Sequence, residues 1–254
     1  MKIKHKLKLD QKTEYQFFPS KEHLIEEDKK IHYYIASYYF HKMLSKITNK
    51  GLPKKLIINP CDAIESITYI NNEKLETDYA VQKEAFKQQN KVDQQGEVAE
   101  LFLFHGTSFE NIDSIITNNF LVDHLPHQQN EVNGDRKKAM LFGRGIYFSE
   151  LPDVSLMYGS GLLLCKVLVG SCEMFQPRGE IPPGIPDTFD SREVIKDGVG
   201  IVHVVKKPSQ ILPYCVIKLK QESISSIITA HTIQSKAVQI QPITHECFKI
   251  FKQG

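Results

Sequence analysis

A histidine, two tyrosines and a serine stand out for their neighbours and their spacing. His105 ends an apolar run and precedes a glycine, in LFHGTS at 103–108. Tyr147 lies in FGRGIYFSE at 142–150, and Ser155 and Tyr158 lie in PDVSLMYG at 152–159, eight and eleven residues further on. Such side chains hydrogen-bond and stack, and the glycines beside them (Gly106, Gly143 and Gly145) let the main chain turn sharply or approach a ligand closely. Taken singly, each has an ordinary explanation. His105 fits a satisfied core histidine, the tyrosines fit half-buried packing, and Ser155 fits a solvent-facing helix position. The ordered set is what carries weight. His124, His127, Glu131 and Asp135 are the nearest imitation of a metal cluster, but their spacing matches no zinc template, so no metal is expected.

The elements that must position this set follow from local pattern. ELFLFHG reads as a compact buried strand ending at His105. Thr107 and Glu110 have capping-box spacing, so a helix is expected from there to about Asn118. GLLLCKVLVG and QILPYCVIKL are β-branched, apolar runs of central-strand type. KLIINP reads as a strand, 73–90 as an amphipathic helix, and 122–141 as a long polar loop of the kind usually reserved for function or disorder. No βαβ rhythm appears. The expected class is therefore α+β with mostly antiparallel strands.

Three regions are expected: a Lys-rich N-terminal extension at 1–55, a central unit at 56–220, and a C-terminal extension at 221–254. The first contains a helical stretch, roughly Lys21 to Ile47, with Leu24, Ile31, Ile35, Tyr38, Tyr39 and Met43 in a stripe. The last shows strand-like stretches without a clear place. The formal charge of +2 across 254 residues argues neither for nor against nucleic acid, and the 41% apolar content excludes a wholly disordered chain. Five cysteines, odd in number and without a CxxC pair, favour a reducing compartment. With no secretory apolar segment and no run near the roughly 20 residues of a membrane span, an intracellular protein, cytoplasmic or nuclear and without a membrane partner, is expected.

Together the segments LFHGTS, FGRGIYFSE, PDVSLMYG and LLLCKVLVG resemble the catalytic domain of the poly(ADP-ribose) polymerase superfamily. Upstream, IESITYINNEKLETDYAVQKEAF resembles the family's first strand and helix. Downstream, FDS at 189–191 and QILPYCVI at 210–217 resemble its closing segments. The resemblance implies the ADP-ribosyltransferase fold, two packed and mostly antiparallel sheets with flanking helices. It also implies NAD+ as the substrate and ADP-ribose donor. Gly106 would offer backbone groups to the nicotinamide carboxamide and Ser155 a hydroxyl. Tyr158 would stack on the nicotinamide, Tyr147 would cover the opposite side, and His105 would bind the adenine-side ribose. Thr107 and Phe148 complete the implied cofactor-binding set. His105, Tyr147 and the third position, Val202, are the implied catalytic set. Arg136, Lys137 and Lys138 are candidate pyrophosphate contacts in the loop before Tyr147.

Polymer-forming members carry a glutamate on a later strand. Counted back from Gln210, the family's spacing puts that position at Val202, or at Ile201 or His203 for a one-residue shift. The segment GIVHVVKKPSQ contains no acid. A valine cannot orient a ribose hydroxyl, so the resemblance points to mono-ADP-ribosylation of a protein acceptor, with the protein itself a possible acceptor. An inactive relative used as a binding or scaffolding module is the alternative. Tyr33, Tyr34, Tyr38 and Tyr39 interleave with Lys and His as base-stacking residues do, so nucleic acid stays open as a partner beside simple packing of that helix on the core.

Overall fold

The structure is a computed structural model that describes residues 15–17, 27–48, 63–122, 142–176, 184–196 and 200–237. KLIINP, the loop at 123–141 with its basic and histidine candidates, and residues 1–12 lie outside the described residues.

The elements run β1 (Tyr15–Phe17), α1 (Glu27–Thr48), β2 (Ile64–Tyr69), α2 (Glu73–Gln88), β3 (Glu100–Thr107), α3 (Phe109–Asn118), β4 (Ile146–Ser149), α4 (Pro152–Leu156) and β5 (Gly161–Leu168). Then come β6 (Cys172–Phe175), β7 (Ser191–Lys196), β8 (Gly200–Val205), a 3-10 turn at Pro208–Gln210, β9 (Ile211–Leu219) and α5 (Gln221–Ala237). The fold is α+β. Among the described residues nine strands form the order β1-β2-β9-β5-β3-β4-β8-β7-β6, every pair antiparallel except β6 with β7. The two expected sheets are therefore continuous along one order. Their junction is narrow, since β3 and β4 pair only at Phe104 with Ser149.

Alternation along β3 distributes the core. Phe104 joins Phe40 and Leu44 of α1, Leu156 of α4 and Ile227 of α5 in one apolar cluster. Leu103 points the other way, into a cluster with Ile112, Ile115 and Ile116 of α3 and Phe148 of β4. Each such side chain contributes about 1.5–3 kcal/mol by leaving water, so β3 is pinned from both faces just before His105. Helix α1 buries Ala36, Phe40 and Leu44, a four-residue spacing that keeps one stripe inward.

A local signal accounts for the start of α2. Asn72 caps α2 by accepting the Leu75 amide at 3.3 Å, and its side-chain nitrogen donates to the Ile116 carbonyl at 2.9 Å, tying the start of α2 to the end of α3. The expected capping box at Thr107 does not form. Pairing with Gly161 keeps Thr107 in β3, Ser108 becomes the N-cap residue, and the Thr107 hydroxyl accepts from Asn111 at 3.1 Å. A second correction concerns the C-terminal stretch. Its β-branched content suggested strands, but residues 221–237 form a helix, because Ile224, Ile227, Ala230 and His231 fall on one helical face and bury against α1 and α4.

Candidate active site

The site lies where β3 and β4 part. Beyond the single pair Phe104–Ser149, the next opposed positions would be His105 with Phe148 and Gly106 with Tyr147, yet no ladder forms there. The His105 ring bridges the gap instead, with Nδ1 donating to the Tyr147 carbonyl at 2.8 Å. A cleft of about 230 Å³ fills the opening. Its walls include His105, Gly106, Tyr147, Phe148, Ser155, Tyr158 and Val202, so seven of the eight expected site residues come together. Thr107 is not among them. It is buried at the end of β3 and committed to Asn111.

The carbonyl of Tyr147 can only accept, so the His105 proton sits on Nδ1 and leaves Nε2 as a bare acceptor. Burial drives the ring toward neutrality, lowering its pKa from 6.5 to about 4 against the partial opposition of the Tyr147 bond. Phe120 and Phe148 hold the ring with centroids at 4.8 and 5.5 Å. Phe120 was not anticipated. It is placed by Asn119, which adopts φ 67° and whose side-chain amide donates to the carbonyls of Pro208 and Ile211, both at 3.0 Å.

Gly106 is required by packing. A Cβ there would lie 1.7 Å from the Ser155 carbonyl oxygen, so α4 crosses β3 at main-chain contact. This close approach sets the Ser155 hydroxyl against β3, where it donates to the Phe104 carbonyl at 3.0 Å. With its proton so committed, the remaining Oγ lone pairs are available as acceptors. Ser155 is buried, whereas Tyr158, just past the helix, is 59% exposed and forms part of the mouth with Leu121.

Tyr147 is held by its own turn. Its hydroxyl donates to the Gly143 carbonyl at 2.6 Å and accepts the Phe142 amide at 3.0 Å. Burial pushes the hydroxyl well above the ordinary tyrosine range, so it stays a donor. Gly143, at φ 98°, supplies the left-handed turn. From behind, Arg192 of β7 donates to the Phe142 carbonyl at 2.8 Å and pairs with Glu173 of β6 at 2.7 Å, its guanidinium 4.8 Å from the Phe175 ring. That clamp was invisible in the sequence, because Glu173 and Phe142 meet Arg192 only once the sheet is assembled.

Val202 completes the far wall. It is 6% exposed, packs with Phe142, Val194 and Val204, and opposes Ser149 across the β4–β8 ladder. Ile201 and His203 point to the other face of the strand, and neither lines the cleft. No acidic side chain lines the cleft among the described residues. No group of ligands able to hold a metal ion occurs among them either.

A family model for the poly(ADP-ribose) polymerase catalytic domain matches residues 39–182, more than half of the chain. The chain belongs to that family. Membership supports an NAD+ ADP-ribosyltransferase in general, with NAD+ as substrate. The matched span carries His105, Gly106, Tyr147, Phe148, Ser155 and Tyr158 of this polymerase-family cleft, while Val202 lies beyond it. No curated protein matches the chain.

Proposed function

We propose that the cleft holds the nicotinamide half of NAD+ and that the protein transfers single ADP-ribose units to a protein acceptor, releasing nicotinamide. The observation that carries this reading is the convergence of His105, Gly106, Tyr147, Phe148, Ser155, Tyr158 and Val202 on one cleft. Breaking the bond between ribose and nicotinamide passes through an oxocarbenium-like centre, and the protein's part is chiefly to fix the donor and offer groups where charge changes. Neutral His105 suits a sugar hydroxyl, because Nε2 accepts while Nδ1 is fixed on Tyr147. The rings of Tyr147 and Tyr158 suit the two faces of a planar heterocycle. Gly106 lies beyond the single β3–β4 pair, where the parting of the strands leaves its main chain open to a carboxamide.

The same wall argues for single transfers. Chain growth needs a group that binds and activates the hydroxyl of an acceptor ribose, and Val202 presents only methyl groups to the cleft. The acceptor must then bring its own nucleophile, as a protein side chain does; the protein itself is one candidate substrate. The lack of a carboxylate in the lining among the described residues also gives a second reading its motive, that of a catalytically silent member that binds a ligand or partner.

Incubation with labelled NAD+ separates the two. Incorporation into the protein or an added acceptor, abolished by His105→Ala and by Tyr147→Ala in folded protein, is the expected outcome. NAD+ binding without incorporation favours the silent member, and neither binding nor incorporation rejects the donor site.

A further inference from the structure

Helix α5 lies outside the matched family span, yet it reaches the helix that carries Ser155 through a buried charge. Asp153, in the first turn of α4, is fully buried, and its Oδ2 meets Nδ1 of His231 on α5. His231 is itself buried. Among the described residues, neither carboxylate oxygen has a hydrogen-bond partner, and the contact with the His231 ring is what faces this carboxylate. The surroundings are apolar, since α1, α4 and α5 share one cluster that includes Phe40, Leu44, Leu156 and Ile227. A carboxylate taken out of water and left unpaired strongly disfavours the arrangement that buries it. His231 is thus what allows Asp153 to sit where it does.

The consequence reaches the cleft through helix geometry. Helix α4 spans five residues and has no side-chain cap at Leu151. So short a helix has no orientation of its own and takes one from its contacts. Residues two apart in a helix point in nearly opposite directions, so Asp153 and Ser155 face opposite sides of α4. In front, Ser155 bonds the Phe104 carbonyl and its own carbonyl fills the space beside Gly106. Behind, the anchor is His231.

We propose that Asp153 and His231 are positioning residues: α5 holds α4 from behind and thereby sets the affinity of the cleft for its ligand. In its final clause this rests on the NAD+ reading above. Neither side chain lines the cleft, and the pair takes no part in bond breaking, so its effect belongs in KM rather than kcat.

The test uses the full chain. His231→Leu leaves Asp153 buried and unpaired; it is expected to raise KM for NAD+ by about tenfold or more while kcat changes by less than about threefold. Adding Asp153→Asn removes the stranded charge and should bring KM back to within about threefold of the parent protein. Hydrogen exchange at the Ser155, Met157 and Tyr158 amides should quicken by about tenfold in His231→Leu while the β5 amides keep their rates. That readout needs no NAD+, so a protein that never binds NAD+ rejects the donor site while exchange still decides the clamp. If His231→Leu does not fold, His231→Gln, which keeps a donor for Asp153, must fold with α4 exchange within about threefold of the parent. Unchanged KM and unchanged α4 exchange in folded His231→Leu overturn the proposal. So does a double variant as impaired as the single one, or a His231→Gln protein whose α4 exchanges as freely as an unpaired one.

Discussion

His105 gives the sharpest pH prediction, because the protein holds it neutral. In the folded state burial lowers its pKa to about 4, whereas in the unfolded chain it returns to the ordinary 6.5. The unfolded state therefore binds a proton more readily throughout the interval between these values, and acid favours unfolding there. The sign follows: stability from this residue is fully present above pH 6.5, declines as pH falls, and stops declining below about pH 4, where both states are protonated. Each pH unit within the window is worth about 1.4 kcal/mol. Between pH 7 and pH 5 the loss is about 2 kcal/mol, and by pH 4 it approaches 3 kcal/mol, about a hundredfold in the folding equilibrium. His105→Asn is the right comparison, since its amide nitrogen lies near the position of Nδ1, keeps a donor for the Tyr147 carbonyl, and does not titrate. Urea unfolding of both proteins at pH 7, 6 and 5 measures the difference. The stability gap between them should narrow by about 2 kcal/mol as the pH drops from 7 to 5. Parallel stability curves over that range would refute the half-buried neutral histidine. NAD+ affinity of the parent protein should likewise hold from pH 8 to 5, because Nε2 keeps its lone pair.

Three further outcomes follow from the packing. Gly106→Ala forces a Cβ into the space of the Ser155 carbonyl, so α4 must move away; NAD+ binding should fall at least about tenfold with a stability loss of about 1–3 kcal/mol, read by calorimetry and thermal unfolding. Tyr147→Phe leaves the Phe142 amide and the Gly143 carbonyl without their shared partner, at a cost of about 1–3 kcal/mol in unfolding free energy; KM for NAD+ should rise as the turn loosens, and an unchanged KM contradicts the turn's role. Glu173→Gln halves the ion pair that holds Arg192 and should raise KM for NAD+ while leaving kcat nearly constant; equal losses in both would mean that Arg192 acts on the chemistry itself.

The sequence made the cleft more legible than its scaffold. His105, Gly106, Tyr147, Ser155 and Tyr158 sit at strand and helix ends whose spacing the fold constrains, so their order alone marks them as a set. Thr107 was drawn into that set by adjacency, but it occupies the strand position whose side chain meets Asn111 rather than the cleft. Arg192 stayed hidden because its burial depends on the parallel pairing of β6 with β7, which sets Glu173 beside it from nineteen residues away. Phe120 escaped notice because its placement comes from Asn119 in a left-handed conformation, bonded to carbonyls some ninety residues distant. For α5, local propensity favoured strand, and packing against α1 and α4 decided otherwise. What a single sequence conceals is long-range partnership.

Val202 is where the functional account is most exposed. Mass spectrometry of the full chain and of candidate acceptor proteins after incubation with NAD+ reads the length and the attachment residue of each adduct at once. Single ADP-ribose units on protein side chains, absent from His105→Ala, are the expected result. Chains of two or more linked units would overturn the reading, since the Val202 side chain has no group to activate a ribose hydroxyl.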